Sequence, residues 1–152
     1  NSWILGNFEG NFANNPAIAL FIPLIGGTGG NVGIQSSAIV VQGLANGSLD
    51  LRKSLSQIVK ELGLALINAS IISLLVFAYN FFIFHPDFKI TIAVSASLFA
   101  VVLFAATFGT FVPLTLEKMK VDPAIATGPF ITITNDIIGM MIYMTVCMML
   151  LQ

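Results

Sequence analysis

Four apolar stretches, Pro16–Leu44, Leu62–Phe84, Ile90–Leu116 and Ala124–Leu151, take up most of this 152-residue chain. Each is longer than the roughly 20 residues an α-helix needs to cross the hydrocarbon core of a bilayer. Within lipid, backbone N–H and C=O groups must be paired inside the segment itself, so such stretches are expected as helices. Composition agrees: 57% of residues are hydrophobic and 9% charged, against about 25% charged in soluble domains. A soluble enzyme is thereby excluded. Six Lys and Arg against seven Asp and Glu leave no positive field for a polyanion, so nucleic acid is not an expected partner. The single cysteine, Cys147, excludes an intrachain disulfide and a cysteine-based zinc site.

The thirteen charges sort by position. Glu9 stands near the start; Asp50, Arg52, Lys53, Lys60 and Glu61 form one cluster; Asp87 and Lys89 flank a break; Glu117, Lys118, Lys120 and Asp122 form another. Lys and Arg in short loops favour the cytoplasmic side. The three connections carry three, one and two basic residues in turn, which places the first and third in the cytoplasm and the C-terminus outside. The opening segment 1–10 reads as the truncated end of a preceding span, with 11–15 a polar loop. The expected helices are then 16–45, 62–84, 90–116 and 123–151. Between the first two, residues 48–61 place Leu49, Leu51, Leu55, Ile58, Val59 and Leu62 mostly on one face, with Ser48 at the cap position, the pattern of a helix lying on the cytoplasmic membrane surface.

Two polar interruptions fall at one depth. The first is Gly26-Gly27-Thr28-Gly29-Gly30-Asn31-Val32-Gly33-Ile34-Gln35, with five glycines in eight residues, flanked on each side by about half a bilayer of apolar helix. Irregular backbone is tolerated there when it lines a wet cavity. Close helix packing explains the glycines but does not call for Asn31 and Gln35. A glycine-broken pore helix is the expectation, with Gly27, Asn31 and Gln35 in its polar stripe. The second interruption is Asp136, a carboxylate near the midplane with no Lys or Arg nearer in sequence than Lys120. An ionisable group so placed marks a functional site by default. Gly128, Thr132, Asp136 and Gly139 recur at helical spacing, with Asn135 at the edge, making a second stripe of small and polar residues. Two such helices can enclose a wet seam whose oxygen atoms suit a hard cation. Neither stripe holds His or Cys, which argues against a soft-metal site.

Taken together, Phe21 to Gln35, the later Val112-Pro113-Leu114, and Asp122-Pro123-Ala124 followed by Gly128-Pro129-Phe130 and Asn135-Asp136 resemble the membrane domain of the MgtE magnesium channels. The resemblance runs from about Ile4 to the C-terminus. It implies an all-α polytopic membrane protein of the bacterial inner (plasma) membrane, a homodimer whose second and fifth helices line a shared pore. It implies further that Asp136 binds a largely hydrated Mg²⁺ with the carbonyl of Thr132, that Asp122 at the cytosolic mouth joins regulatory Mg²⁺ sites, and that cytosolic regulatory domains accompany the pore in the full-length protein. Passive Mg²⁺ uptake, with no enzymatic activity, is the expected function.

Other readings are weaker. An intramembrane aspartyl protease needs two carboxylates sharing a proton, and one chain supplies a single embedded Asp. A cation-coupled secondary transporter would use Asp136 as proton or ion carrier. His85-Pro86-Asp87 reads as a turn between helices, the methionines from Met140 to Met149 as apolar packing, and Asn46-Gly47-Ser48 as a chance match to a glycosylation pattern.

Overall fold

A computed structural model describes residues 16–49, 54–126 and 128–151. The expectations for 1–15 and for the charged stretch at 50–53 lie outside these residues. The described elements are α1 (Ala17–Leu20), α2 (Ile22–Ala45), α3 (Ser54–Tyr79), a π-helical turn (Asn80–Phe84), α4 (Phe88–Lys118), a 3₁₀ turn (Pro123–Ala126) and α5 (Pro129–Leu151). Among the described residues, four helical segments are long and apolar enough to cross a membrane: Ala17–Ala45, Ile58–Phe84, Phe88–Lys118 and Pro129–Leu151.

The chain is organised around α4. In its most apolar stretch 61% of residues are buried, against 33%, 17% and 33% in the other three spans. Small side chains make this possible: Ala93, Ser97, Ala105, Ala106 and Gly109 are all buried and let neighbouring backbones approach. On one side α4 packs against α2 and α5, which also pack against each other; on another it packs against α3. The core joins Ile18, Phe21 and Ile25 to Val94, Leu98 and Val101 of α4 and to Met140, Tyr143 and Met144 of α5. The outer face of α3, with Leu64, Ile67, Ile71, Leu74 and Leu75, is exposed. In water such a face would be a liability; against lipid chains it is the ordinary outside of a span.

The glycine run does not break its helix. Ile22–Ala45 is continuous α-helix, and the irregular point comes earlier, at Phe21. The cause is Pro23, which has no N–H to give the Ala19 carbonyl four residues back. The chain adjusts by tighter bonds, Ala19 N–H to Pro16 O and Phe21 N–H to Ile18 O, both 3.1 Å, before Ile25 N–H to Phe21 O at 2.9 Å resumes the α pattern. The Tyr143 hydroxyl donates a 2.8 Å bond to Ile18 O and ties this joint to α5. Glycine is needed instead for close approach. A methyl group built at Gly29 would lie 3.0 Å from Val101 Cγ1, and one at Gly33 would collide with the Asn135 amide and come within 2.9 Å of Ile131 Cγ2. At Gly109 the obstruction is backbone, the Gly33 carbonyl oxygen.

The separate surface helix expected at 48–61 is also corrected. From Ser54 onward these residues are the first turns of α3 itself. Ser48, expected to cap it, instead closes α2: its N–H donates to Asn46 Oδ1 at 2.9 Å, its hydroxyl to Gly43 O at 3.4 Å, and Gly47 takes the positive φ of the cap. The last span begins at Pro129 rather than 123, because Gly128 sits at φ +61° and separates it from the 3₁₀ turn. At the other end α4 stops in a left-handed cap at Lys120, with Val121 N–H bonded to Leu116 O at 2.9 Å and Lys120 N–H to Glu117 O at 3.0 Å.

Candidate functional site

Between α2 and α5 runs an open groove of about 250 Å³, lined by Gly26, Gly27, Gly30 and Asn31 on one wall and Thr132 and Asp136 on the other. Ile22, Pro23 and Met140 complete it. The α2 wall follows from the sequence spacing: positions 23, 26, 27, 30 and 31 fall on one helical face, and all but Pro23 and Asn31 lack a side chain. Glycine therefore lets α5 set its polar side chains directly against the α2 backbone. A methyl at Gly30 would lie 3.3 Å from both Asp136 Oδ1 and Thr132 Cγ2; one at Gly26 would lie 3.9 Å from the same carboxylate oxygen.

Asp136 is half-buried in this wall. Its carboxylate forms no hydrogen bond or ion pair among the described residues. No trio of His, Cys, Asp or Glu capable of holding a metal ion occurs among them either. Thr132 spends its hydroxyl hydrogen on Gly128 O at 3.1 Å, which leaves the hydroxyl oxygen available as an acceptor. What the chain offers here is one negative charge, a hydroxyl, the Asn31 amide and the backbone of a glycine face. That set can accept hydrogen bonds from water around an ion, but it cannot enclose a bare one.

Gly27, Asn31, Thr132 and Asp136 are thus brought together. The other expected residues fall elsewhere. Gln35 is exposed on α2, one turn beyond the groove. Asn135 is 1% exposed and pressed between α5 and Gly33. Gly139 faces α4, where a methyl would lie 3.2 Å from Val101 Cγ1. Both are turned inward because a helix rotates 100° per residue, so the neighbour of a groove residue points away from the groove. Gly128 ends the preceding turn and caps α5 through its carbonyl. Asp122 is exposed in the loop before the 3₁₀ turn, where its Oδ1 accepts from Ala124 N–H at 2.9 Å. Pro23, Gly26, Gly30 and Met140 are groove residues that the polar pattern alone does not single out. Helical spacing is the available signal: Pro23 and Gly30 lie four and three residues from Gly27, Gly26 four from Gly30, and Met140 four from Asp136.

An all-helical, multi-pass membrane protein with a single carboxylate set in a glycine-walled groove is the class that fold and site define. Residues 22–146 match the family model MgtE, described as a divalent cation transporter, and the chain belongs to that family. It is similar to the magnesium transporter MgtE of Thermus thermophilus, at 34% identity over 99% of this chain and 33% of that protein. It is similar also to the magnesium transporters MgtE of Bacillus subtilis, 34% identical over 92% of the chain and 31% of that protein, and of Enterococcus faecalis, 28% identical over 98% and 33%. The chain spans about a third of the length of these curated relatives.

Proposed function

We propose that this chain is the pore-forming part of a magnesium transporter, in which a largely hydrated Mg²⁺ passes the α2–α5 groove and is held there by Asp136. The observation that carries the reading is the unpartnered Asp136 carboxylate facing the glycine wall. An uncompensated charge at this depth is costly, at least about 2.5–3.5 kcal/mol on insertion scales, and a cation offsets that cost. Mg²⁺ gives up its water reluctantly, which fits a groove that supplies one charge and several hydrogen-bond acceptors rather than a cage. Thr132 and Asn31 then orient the water shell. The names of the relatives support Mg²⁺ as the substrate.

Two copies of the chain facing each other across the open side of the groove would close it into a conduit and bring two carboxylates to a divalent ion. A homodimer is accordingly part of the proposal, as is passive flow through a channel. The membrane potential suffices as driving force, since two charges crossing 100 mV release about 4.6 kcal/mol. Asp122, exposed at the mouth on the basic-loop side, is proposed to face regulatory Mg²⁺ sites completed by cytosolic domains of the full-length protein. No reaction chemistry is assigned to the chain.

The test is a structure of the full-length protein grown with Mn²⁺ in place of Mg²⁺. Anomalous density beside Asp136 on a two-fold axis is expected. Ordered Mn²⁺ elsewhere along the protein with none in this groove would overturn the assignment.

A further inference from the structure

A second pocket lies at the opposite kind of place, where α3 turns into α4. It holds about 450 Å³ and is lined by Asn80, Phe81, Phe82, His85, Phe88 and Thr91, with Pro86 at its edge. Asn80 is completely buried, and neither its amide oxygen nor its amide nitrogen has a hydrogen-bond partner. A buried amide left unpaired is costly and is unusual enough to need an explanation. The backbone around it is irregular as well: Asn80–Phe84 is a π-helical turn, closed by His85 N–H to Asn80 O at 2.8 Å with His85 left-handed at φ 52°. Single π turns recur at functional sites.

The walls identify the chemistry. Phe81 stands at the centre of an aromatic cluster, 5.0 Å from Phe82, 6.1 Å from Phe77 and 6.4 Å from Phe88 between ring centroids. Phe82 and Phe88 are largely exposed, so their faces are open to a ligand. The His85 ring lies with Nδ1 3.0 Å from Ile83 O. A carbonyl can only accept, so Nδ1 carries a hydrogen, and in that tautomer Nε2 is an acceptor. Thr91 directs its hydroxyl toward Asp87 O at 3.5 Å, leaving its oxygen as an acceptor too. Asn80 adds one unpaired acceptor, Oδ1, beside the unpaired donor Nδ2, so acceptors outnumber donors, and no Lys or Arg side chain lines the pocket. Acceptors beside phenyl faces suit an organic ammonium, whose N–H groups donate to the acceptors while its charge lies against the rings.

We infer that this pocket binds an organic ammonium group, presented by a zwitterionic lipid headgroup of the ethanolamine type at the margin of the membrane. The pocket ends two spans, Ile58–Phe84 and Phe88–Lys118, which is the depth at which headgroups sit. The inference is independent of the Asp136 groove and stands whether or not that groove carries Mg²⁺.

The test equilibrates the full-length protein in detergent with equal amounts of phosphatidylethanolamine and phosphatidylglycerol and identifies the retained lipid by native mass spectrometry. Wild type is expected to keep phosphatidylethanolamine about five-fold over phosphatidylglycerol, the scale of one solvent-exposed cation–π contact. Phe82→Leu, at an exposed position that leaves folding intact, and Asn80→Leu are expected to bring the ratio to parity. Asn80→Asp keeps an oxygen acceptor and retains the preference. Displacement by ethanolamine hydrochloride assigns recognition to the ammonium alone; displacement only by intact lipid assigns it to the lipid. Parity in wild type, as for a pocket holding water alone, overturns the inference, and so does a phosphatidylglycerol preference abolished by Asn80→Asp, the mark of an anion site.

Discussion

At the scale of single residues, the glycines divide into two kinds that the sequence does not distinguish. Gly27 faces open groove with nothing within 4 Å of a built methyl, whereas Gly109 abuts the backbone carbonyl of Gly33. Gly109→Ala is therefore expected to destabilise the protein by about 1–3 kcal/mol, since neither helix backbone can yield locally. Gly27→Ala should cost nothing and can add up to about 1 kcal/mol through helix propensity. Thermal unfolding of both variants in one detergent, followed by tryptophan-independent scattering, checks the ordering. Asp136 itself was legible from sequence as the one charge without a neighbour. Asn135 is less legible, because adjacent polar residues look alike in sequence while a 100° rotation sends one to the groove and the other against Gly33.

At the scale of elements, the four spans follow from apolar length alone, because lipid leaves a continuous apolar stretch little other than helix. What length does not reveal is where a helix yields. Glycine composition pointed to a break at 26–33, but a glycine in a packed membrane helix keeps its backbone bonds and gives only proximity; a proline removes a bond outright. Hence the joint at Phe21, upstream of Pro23. Its strength depends on Tyr143, whose hydroxyl holds Ile18 O at 2.8 Å from a completely buried position. Tyr143→Phe removes that bond while keeping the ring. A loss of about 0.5–1.5 kcal/mol in unfolding free energy is expected, with faster amide hydrogen exchange confined to 16–21; unchanged exchange there would show that Pro23 alone sets the joint. The amphipathic pattern at 48–61 looks like a separate helix because its charges end at Glu61 where the apolar stretch begins, yet nothing in the sequence stops a helix there, and Ser54–Tyr79 runs straight through.

At the scale of the whole molecule, the order of spans fixes which connections share a side of the membrane. The α2–α3 and α4–α5 connections are two candidate spans apart and are therefore expected on one side, with the α3–α4 turn on the other. In a Cys147→Ala background, Ser48→Cys and Met119→Cys, both at exposed positions, should react with an impermeant thiol reagent from the cytoplasmic face, and His85→Cys from the outer face. Labelling of all three from one side would contradict the topology. In the proposed dimer the open side of the Asp136 groove is turned to a second copy and the exposed apolar face of α3 to the bilayer. The most direct check on ion passage past Asp136 is Mg²⁺ entry into liposomes holding the full-length protein, with an inside-negative potential and a Mg²⁺-sensitive dye within. Asp136→Asn keeps the shape of the side chain and removes its charge, so the rate should fall about ten-fold or more while insertion is unchanged. Entry at the wild-type rate in Asp136→Asn would contradict the proposed path.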